Sequence, residues 1–246
     1  MYHKLLYTAK VTQRGSRILS SNTLVSRSDK IKLNQKVRTI LPKTRNQRST
    51  PPLTIGVLAL QGDFDAHRRR LEELGAKVVL VKKPAQLDEI DGLVIPGGES
   101  GTFLKLLGEE GFEKLKQFVR LKPTFGTCAG AILLATEVEN PKQAGLGAID
   151  IAIRRNAYGR QIDSSIREGK LGASPLEMVF IRAPKISRVG PKVEVLATEG
   201  TDPVAVRQGS AMAATFHPEL SDDTRVHQAF LDLVSSCGSD TPVRRP

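Results

Sequence analysis

The chain has 246 residues, room for one α/β domain of roughly 200 residues plus an appendage. Its 39% apolar content supports a real core, and two distant cysteines, Cys128 and Cys237, argue against a disulfide framework or a structural zinc site. The net charge of +11 points to nucleic acid only until it is located: residues 1–50 hold twelve Lys/Arg and one acid, Asp29, and the other 25 basic and 25 acidic residues cancel.

Residues 1–52 are basic, hydroxyl-rich and without sustained apolar periodicity, and they end in Pro51-Pro52. They read as a disordered N-terminal extension. Three accounts of it stand: an organelle-targeting peptide, a basic arm for nucleic acid or an acidic partner, or an upstream extension without function. No apolar run approaches the ~18 residues of a membrane span, and no secretory hydrophobic region is visible. The expected location is the reducing cytoplasm.

The folded pattern begins at Leu53, and residues 53–236 are expected to form one domain, with 237–246 as a tail. Leu53–Leu60 is a continuous apolar run, as a buried parallel strand requires. Asp63 to Leu74 reads as a helix closed by Gly75, Lys77–Val81 as a second strand and Gly92–Ile95 as a third. An amphipathic helix is expected over Phe112–Leu121. Apolar, β-rich runs follow at Ala148–Ile153, Met178–Arg182, Val193–Ala197, Val204–Val206 and Ala211–Phe216. A last helix over about 223–234 is expected behind a cap at Ser221. This βαβ rhythm predicts an α/β fold, a three-layer, doubly wound and mostly parallel sheet.

Three stretches carry chemistry. In Phe125-Gly126-Thr127-Cys128-Ala129-Gly130, a cysteine stands between two glycines, after a short apolar segment and before the apolar run 131–135. That is the thiol form of a nucleophile elbow, whose cramped turn tolerates only glycine-sized neighbours. A free thiol is more often an inert core residue, and the flanking glycines bring the two readings level. A cysteine nucleophile needs a base and a group to orient it. His217 closes a strand in Thr215-Phe216-His217-Pro218-Glu219, and Glu219, two residues on, can reach its other ring nitrogen. His67 and His227 lie among charged residues of expected helices, which reads as solvated surface. The third stretch, Pro96-Gly97-Gly98-Glu99-Ser100-Gly101-Thr102, follows the third strand, where open α/β sheets bind ligands.

These pieces, in this order, resemble the class I (triad) glutamine amidotransferases, and more closely the family of glutaminase subunits of pyridoxal 5′-phosphate synthase. The closer likeness rests on Gly56-Val57-Leu58-Ala59-Leu60-Gln61-Gly62, on the segment 155–161 (Arg-Asn-Ala-Tyr-Gly-Arg-Gln) and on Phe180-Ile181-Arg182-Ala183-Pro184, and covers about residues 53–235. It implies Cys128 as nucleophile, His217 as base and Glu219 as its orienter. The Gly98 and Ala129 backbone N–H groups would form the oxyanion hole. Gly98, Glu99, Ser100, Arg155, Ile181 and Arg182 would line a glutamine pocket. The resemblance further implies a (β/α)8 synthase subunit as partner, receiving ammonia to build pyridoxal 5′-phosphate, in an assembly of lyase type. No metal, organic cofactor, membrane or nucleic acid is expected. The family usually has Thr where this chain has Gly101, which leaves the loop looser and removes no expected catalytic group. A glutaminase of another pathway, such as histidine biosynthesis, and a non-catalytic glutamine-binding regulator of the same fold are the alternatives.

Overall fold

The computed structural model describes residues 52–155 and 164–238. The extension over 1–52 lies outside them apart from its last residue, as do the expected tail beyond Gly238 and all of the 155–161 segment except Arg155.

The elements run β1 (Thr54–Leu58), α1 (Phe64–Glu73), β2 (Lys77–Val81), a 3-10 turn (Pro84–Glu89), β3 (Gly92–Ile95), α2 (Ser100–Leu121), β4 (Thr124–Thr127) and α3 (Ala129–Leu134). Then come β5 (Ala135–Glu139), β6 (Ile149–Arg154), β7 (Ser164–Leu171), β8 (Ser174–Ile181), β9 (Lys185–Val189), β10 (Glu194–Glu199), β11 (Asp202–Gln208), β12 (Ala211–Ala214), a second 3-10 turn (Pro218–Leu220) and α4 (Arg225–Gly238). The main sheet has nine strands in the order β2-β1-β3-β4-β12-β11-β10-β7-β8. It is parallel from β2 to β12 and antiparallel from there to β8, so the doubly wound half carries an antiparallel extension. A second sheet has the order β5-β6-β9.

Side chains alternate across the parallel strands, and both faces are covered. Ile55, Val57, Val94, Phe125, Met212 and Ala214 face a layer that includes Leu71 of α1 and Phe230 and Val234 of α4. Leu93, Ile95, Ala211 and Ala213 face the other way, with Phe103 and Leu115 of α2, α3, and Ile151 and Ile153 of the small sheet. The continuous apolar runs at β1 and β3 are thus the signature of strands sandwiched between helices.

Helix α1 ends where Gly75 adopts φ +84. The Gly75 N–H donates to Glu72 O at 2.9 Å and the Ala76 N–H to Leu71 O at 3.0 Å, the paired bonds of a Schellman cap. α2 is two helical stretches that meet at Gly108, and the helix expected over Phe112–Leu121 lies in the second. Glu99 caps the first, its side chain accepting from the Gly101 and Thr102 N–H groups, and Gly108 has φ 62, ψ −176. Strands β5, β7 and β9 add to the runs expected from the sequence, where charged and polar residues interrupt their apolar pattern. Ser221 does not cap α4; its hydroxyl accepts from the Asp223 N–H at 3.3 Å, and the Asp223 carboxylate accepts from the Arg225 N–H at 3.0 Å.

Candidate active site

β4 and β12 lie side by side and parallel, Thr127 paired with Ala214. Residues just beyond their carboxyl ends therefore emerge together, and these are Cys128 and His217. At the strand-to-helix turn Cys128 is forced to φ 48, ψ −101, a left-handed strain held by its N–H donating to Ala214 O at 2.8 Å. The flanking glycines are obligatory. A Cβ on Gly130 would sit 2.1 Å from Ile95 O, and one on Gly126 2.5 Å from the Gly130 carbonyl. The elbow can form only because the helix backbone lies directly on β3 and β4. Ala129 opens α3, so its N–H belongs to the first turn, which has no intrahelical acceptor.

His217 is held from below by its own N–H, which donates to Val179 O of β8 at 2.8 Å. Its ring Nδ1 lies 2.8 Å from Glu219 Oε1, and both side chains are buried. The short 3-10 turn starting at Pro218 sets that two-residue reach. His217 Nε2 is buried on the far side of the ring with no aligned hydrogen bond, and the Cys128 thiol is the group facing it. Such bonds are commonly loose without substrate. Burial alone would lower the His217 pKa, but Cys128 and Glu219 together push it up to about 10. Burial likewise works against ionised Glu219, yet His67 and His217 hold its carboxyl below the usual range.

An open cleft of about 210 Å³ lies over this pair. Cys128, His217, Gly98, Glu99, Ser100, Arg155, Ile181 and Arg182 all line it, so every expected pocket residue is brought together there. Arg155 Nη2 donates to Glu99 Oε1 at 2.9 Å. Burial raises the Glu99 carboxyl less than the Gly101 and Thr102 groups and Arg155 lower it, so it stays below its ordinary value. Arg182, at the end of β8, sits at φ 44, a second strained position on the cleft. Ser100 Oγ is already taken, donating to Gln143 Oε1 at 2.9 Å. At Gly101 a Cβ would stand 3.2 Å from Glu99 Oε2, so the glycine gives the capping carboxylate room.

Gly97 packs directly on the pair: a Cβ there would lie 2.5 Å from His217 Cε1 and 3.4 Å from Cys128 Cβ. Among the described residues, one group of three metal-type donors occurs, Asp63, His217 and Glu219, with ligand atoms within 4.8 Å of one another. A cation there would draw on the carboxylate that His217 uses, so it would compete with the pair instead of completing it.

His67 and His227 correct the surface reading. Both are fully buried. Phe64 and Leu71 flank His67 at i−3 and i+4, and Phe230, Leu231 and Val234 follow His227 at i+3, i+4 and i+7; that apolar spacing was the available signal. Cys237 is exposed. Among the described residues no helix is long and apolar enough to cross a membrane.

Residues 57–236 match the model of the SNO glutamine amidotransferase family. The pyridoxal 5′-phosphate synthase subunit PdxT of Koribacter versatilis is 66% identical over 189 residues, 76% of this chain and 98% of that protein. Its counterpart from Solibacter usitatus is 52% identical over 186 residues, covering 72% and 97% of the two chains. A solved glutamine amidotransferase is 44% identical and superposes with a TM-score of 0.69 over 74% of this chain and 98% of its own. PurLQS from Thermotoga maritima, at 15% identity and a TM-score of 0.59, shares the fold. With matched residues running from β1 to α4 and spanning the elbow, the cleft and the His217–Glu219 turn, this chain belongs to the SNO glutamine amidotransferase family.

Proposed function

We propose that the chain hydrolyses the side-chain amide of L-glutamine to glutamate and ammonia, as the glutaminase subunit of a pyridoxal 5′-phosphate synthase. The observation that carries this reading is Cys128, held in a strained elbow against a His217–Glu219 pair at the floor of a cleft. Cys128 Sγ attacks the amide carbon with its proton held on His217 Nε2, where the raised pKa of the imidazole keeps it. The amide oxygen becomes an oxyanion, received by the Gly98 and Ala129 N–H groups. The C–N bond breaks as His217 returns the proton to the leaving nitrogen, releasing ammonia and leaving a thioester on Cys128. Water, losing a proton to His217, then attacks the thioester; glutamate leaves and the thiol is restored.

Arg155 and Glu99 offer the two charges that an α-amino acid zwitterion matches, a guanidinium for its carboxylate and a carboxylate for its ammonium. Ser100, Ile181 and Arg182 complete the pocket wall. The partner that consumes the ammonia is a (β/α)8-barrel synthase subunit, the two together forming an assembly of lyase type. A free-thiol nucleophile suits the reducing cytoplasm. The glutaminase domain runs from residue 53 to the end of α4 at Gly238, with 1–52 as an extension.

The test is ammonia release from glutamine by the full chain with its synthase subunit. Wild type should turn over, Cys128→Ala should not while keeping its fold and partner binding, and Cys237→Ala should match wild type. Activity surviving in Cys128→Ala would defeat the assignment.

A further inference from the structure

Behind Glu219 lies a buried cluster that the reaction as described does not use. His67 on α1 and His227 on α4 are both 0% exposed. His67 Nδ1 lies 3.0 Å from His227 Nε2, and His67 Nε2 lies 3.0 Å from Thr127 Oγ1, the residue before the nucleophile. The same Nε2 lies 3.3 Å from Glu219 Oε2, a buried oxygen with no aligned hydrogen bond. His67 Nδ1 therefore faces one group and Nε2 two, the Thr127 hydroxyl and the Glu219 carboxylate.

The Thr127 hydroxyl can donate or accept, so the carboxylate decides proton placement in this cluster. An ionised Glu219 only accepts, so the His67 Nε2 beside it must carry the proton, because the other tautomer would set a lone pair against a carboxylate. Neutral His67 then accepts at Nδ1, so His227 must donate from Nε2. That leaves His227 Nδ1 as a bare acceptor, and it is indeed the unpartnered, buried atom of that ring. An unpaired acceptor is tolerated in a core more readily than an unpaired N–H. Both histidines are kept neutral: burial lowers the His67 pKa, and burial with neighbouring His67 lowers that of His227 to about 3.

We propose that His67 is a positioning residue for the glutaminase reaction, its Nε2–H shared between Thr127 Oγ1 and Glu219 Oε2 at the end of a one-way relay His227→His67→Glu219 that keeps the carboxylate ionised and turned toward His217. The proposal rests on the function argued above. A buried carboxylate with one donor is prone to take up a proton, and a protonated Glu219 no longer stabilises the charge that forms on His217. The groups that face this carboxylate are His217 on its own turn, and His67 and Asp63 from the α1 end, with His227 and Arg70 behind them.

Amide replacements separate relay from filler. Gln carries its NH2 near the Nε2 position and can still donate to Glu219, whereas Asn reaches only the Nδ1 position. In the complex with the synthase subunit, His67→Asn should lose kcat by about ten- to a hundredfold, the range of one hydrogen bond to a charged group. KM for glutamine should stay within about twofold and the acid limb of the kcat profile should rise by about one pH unit, the equivalent of a tenfold change. His67→Gln should recover most of the rate and return the limb. Equal wild-type activity in both variants, or an unmoved acid limb in His67→Asn, overturns the relay. Nitrogen-15 NMR of the wild-type chain decides it even where a variant does not fold, since His67 must be the Nε2–H tautomer near neutral pH and an Nδ1–H tautomer refutes it. If wild-type complex released no ammonia, the proposed function would fall, whereas the tautomer still judges the relay by itself.

Discussion

Gly97→Ala should slow catalysis while leaving the chain folded. The added Cβ would lie 2.5 Å from His217 Cε1 and 3.1 Å from Nδ1, where ordinary contact begins at 3.4 Å, so about 0.9 Å must be found. The loop is poorly placed to give way. Gly97 O already lies against Gly62, where a Cβ would come within 1.8 Å of it, and the Gln61 amide pins Glu99 by bonds of 3.1 and 2.9 Å. The imidazole must move instead, which disturbs both the 2.8 Å bond to Glu219 and its approach to Cys128. A displacement of about 1 Å costs on the order of 10²-fold in rate, equivalent to roughly 2.7 kcal/mol of barrier. Overpacking by one methyl costs the fold roughly 1–3 kcal/mol, and the backbone at Gly97 is not left-handed, so alanine adds no torsional strain. The assay is ammonia release with the synthase subunit over a glutamine series, beside urea melts of the same samples. A folded Gly97→Ala variant with the wild-type kcat would refute the claim that this glycine sets the position of His217.

His217→Asn should be nearly as harmful as loss of the thiol, and Glu219→Gln milder, since it disturbs orientation without removing the base; single-turnover ammonia release would rank them, and wild-type rates in both would disprove the pairing. Stability should fall on both sides of pH 6.5. The depressed pKa values of His67 and His227 favour folding above 6.5 and lose that contribution as pH falls below it, for His227 down to about 3, by up to roughly 1.4 kcal/mol per pH unit per histidine. The raised value of His217 works the opposite way, contributing fully below 6.5 and fading as pH rises to about 10. Urea midpoints that stay level from pH 7 to 5 would contradict the burial of two neutral histidines. A chain starting at Leu53 keeps all of β1 and the Lys77 N–H bond to Leu53 O at 2.9 Å. It should lose no more than ~1 kcal/mol of stability, the usual scale away from packed features, and should hydrolyse glutamine at the full-length rate. Loss of activity on that truncation would show that the extension packs on the domain.

What the sequence determined by itself is whatever rests on short-range sterics. The Gly126 and Gly130 spacing around Cys128, the buried runs of β1 and β3, the Gly75 stop of α1 and the His217-Pro218-Glu219 turn are each dictated within a few residues, and all are legible. What only the tertiary structure decided is which faces meet. The parallel register of β4 and β12 brings His217 beside Cys128, and β8 accepts the His217 backbone. The half-exposed strands β7 and β9 carry charges on their open faces, so their pattern dissolves into that of a loop until their partners are in place. His67 precedes Arg68, Arg69 and Arg70 along the chain, yet one turn of helix points those guanidinium groups toward acids such as Asp65, Glu72 and Glu73 and sends the imidazole into the core. A neutral histidine can be buried there only because His227, Thr127 and Glu219 arrive from three other elements to meet its two nitrogens. No local pattern encodes that meeting, because the cost of burying a polar ring is settled by partners far away in sequence.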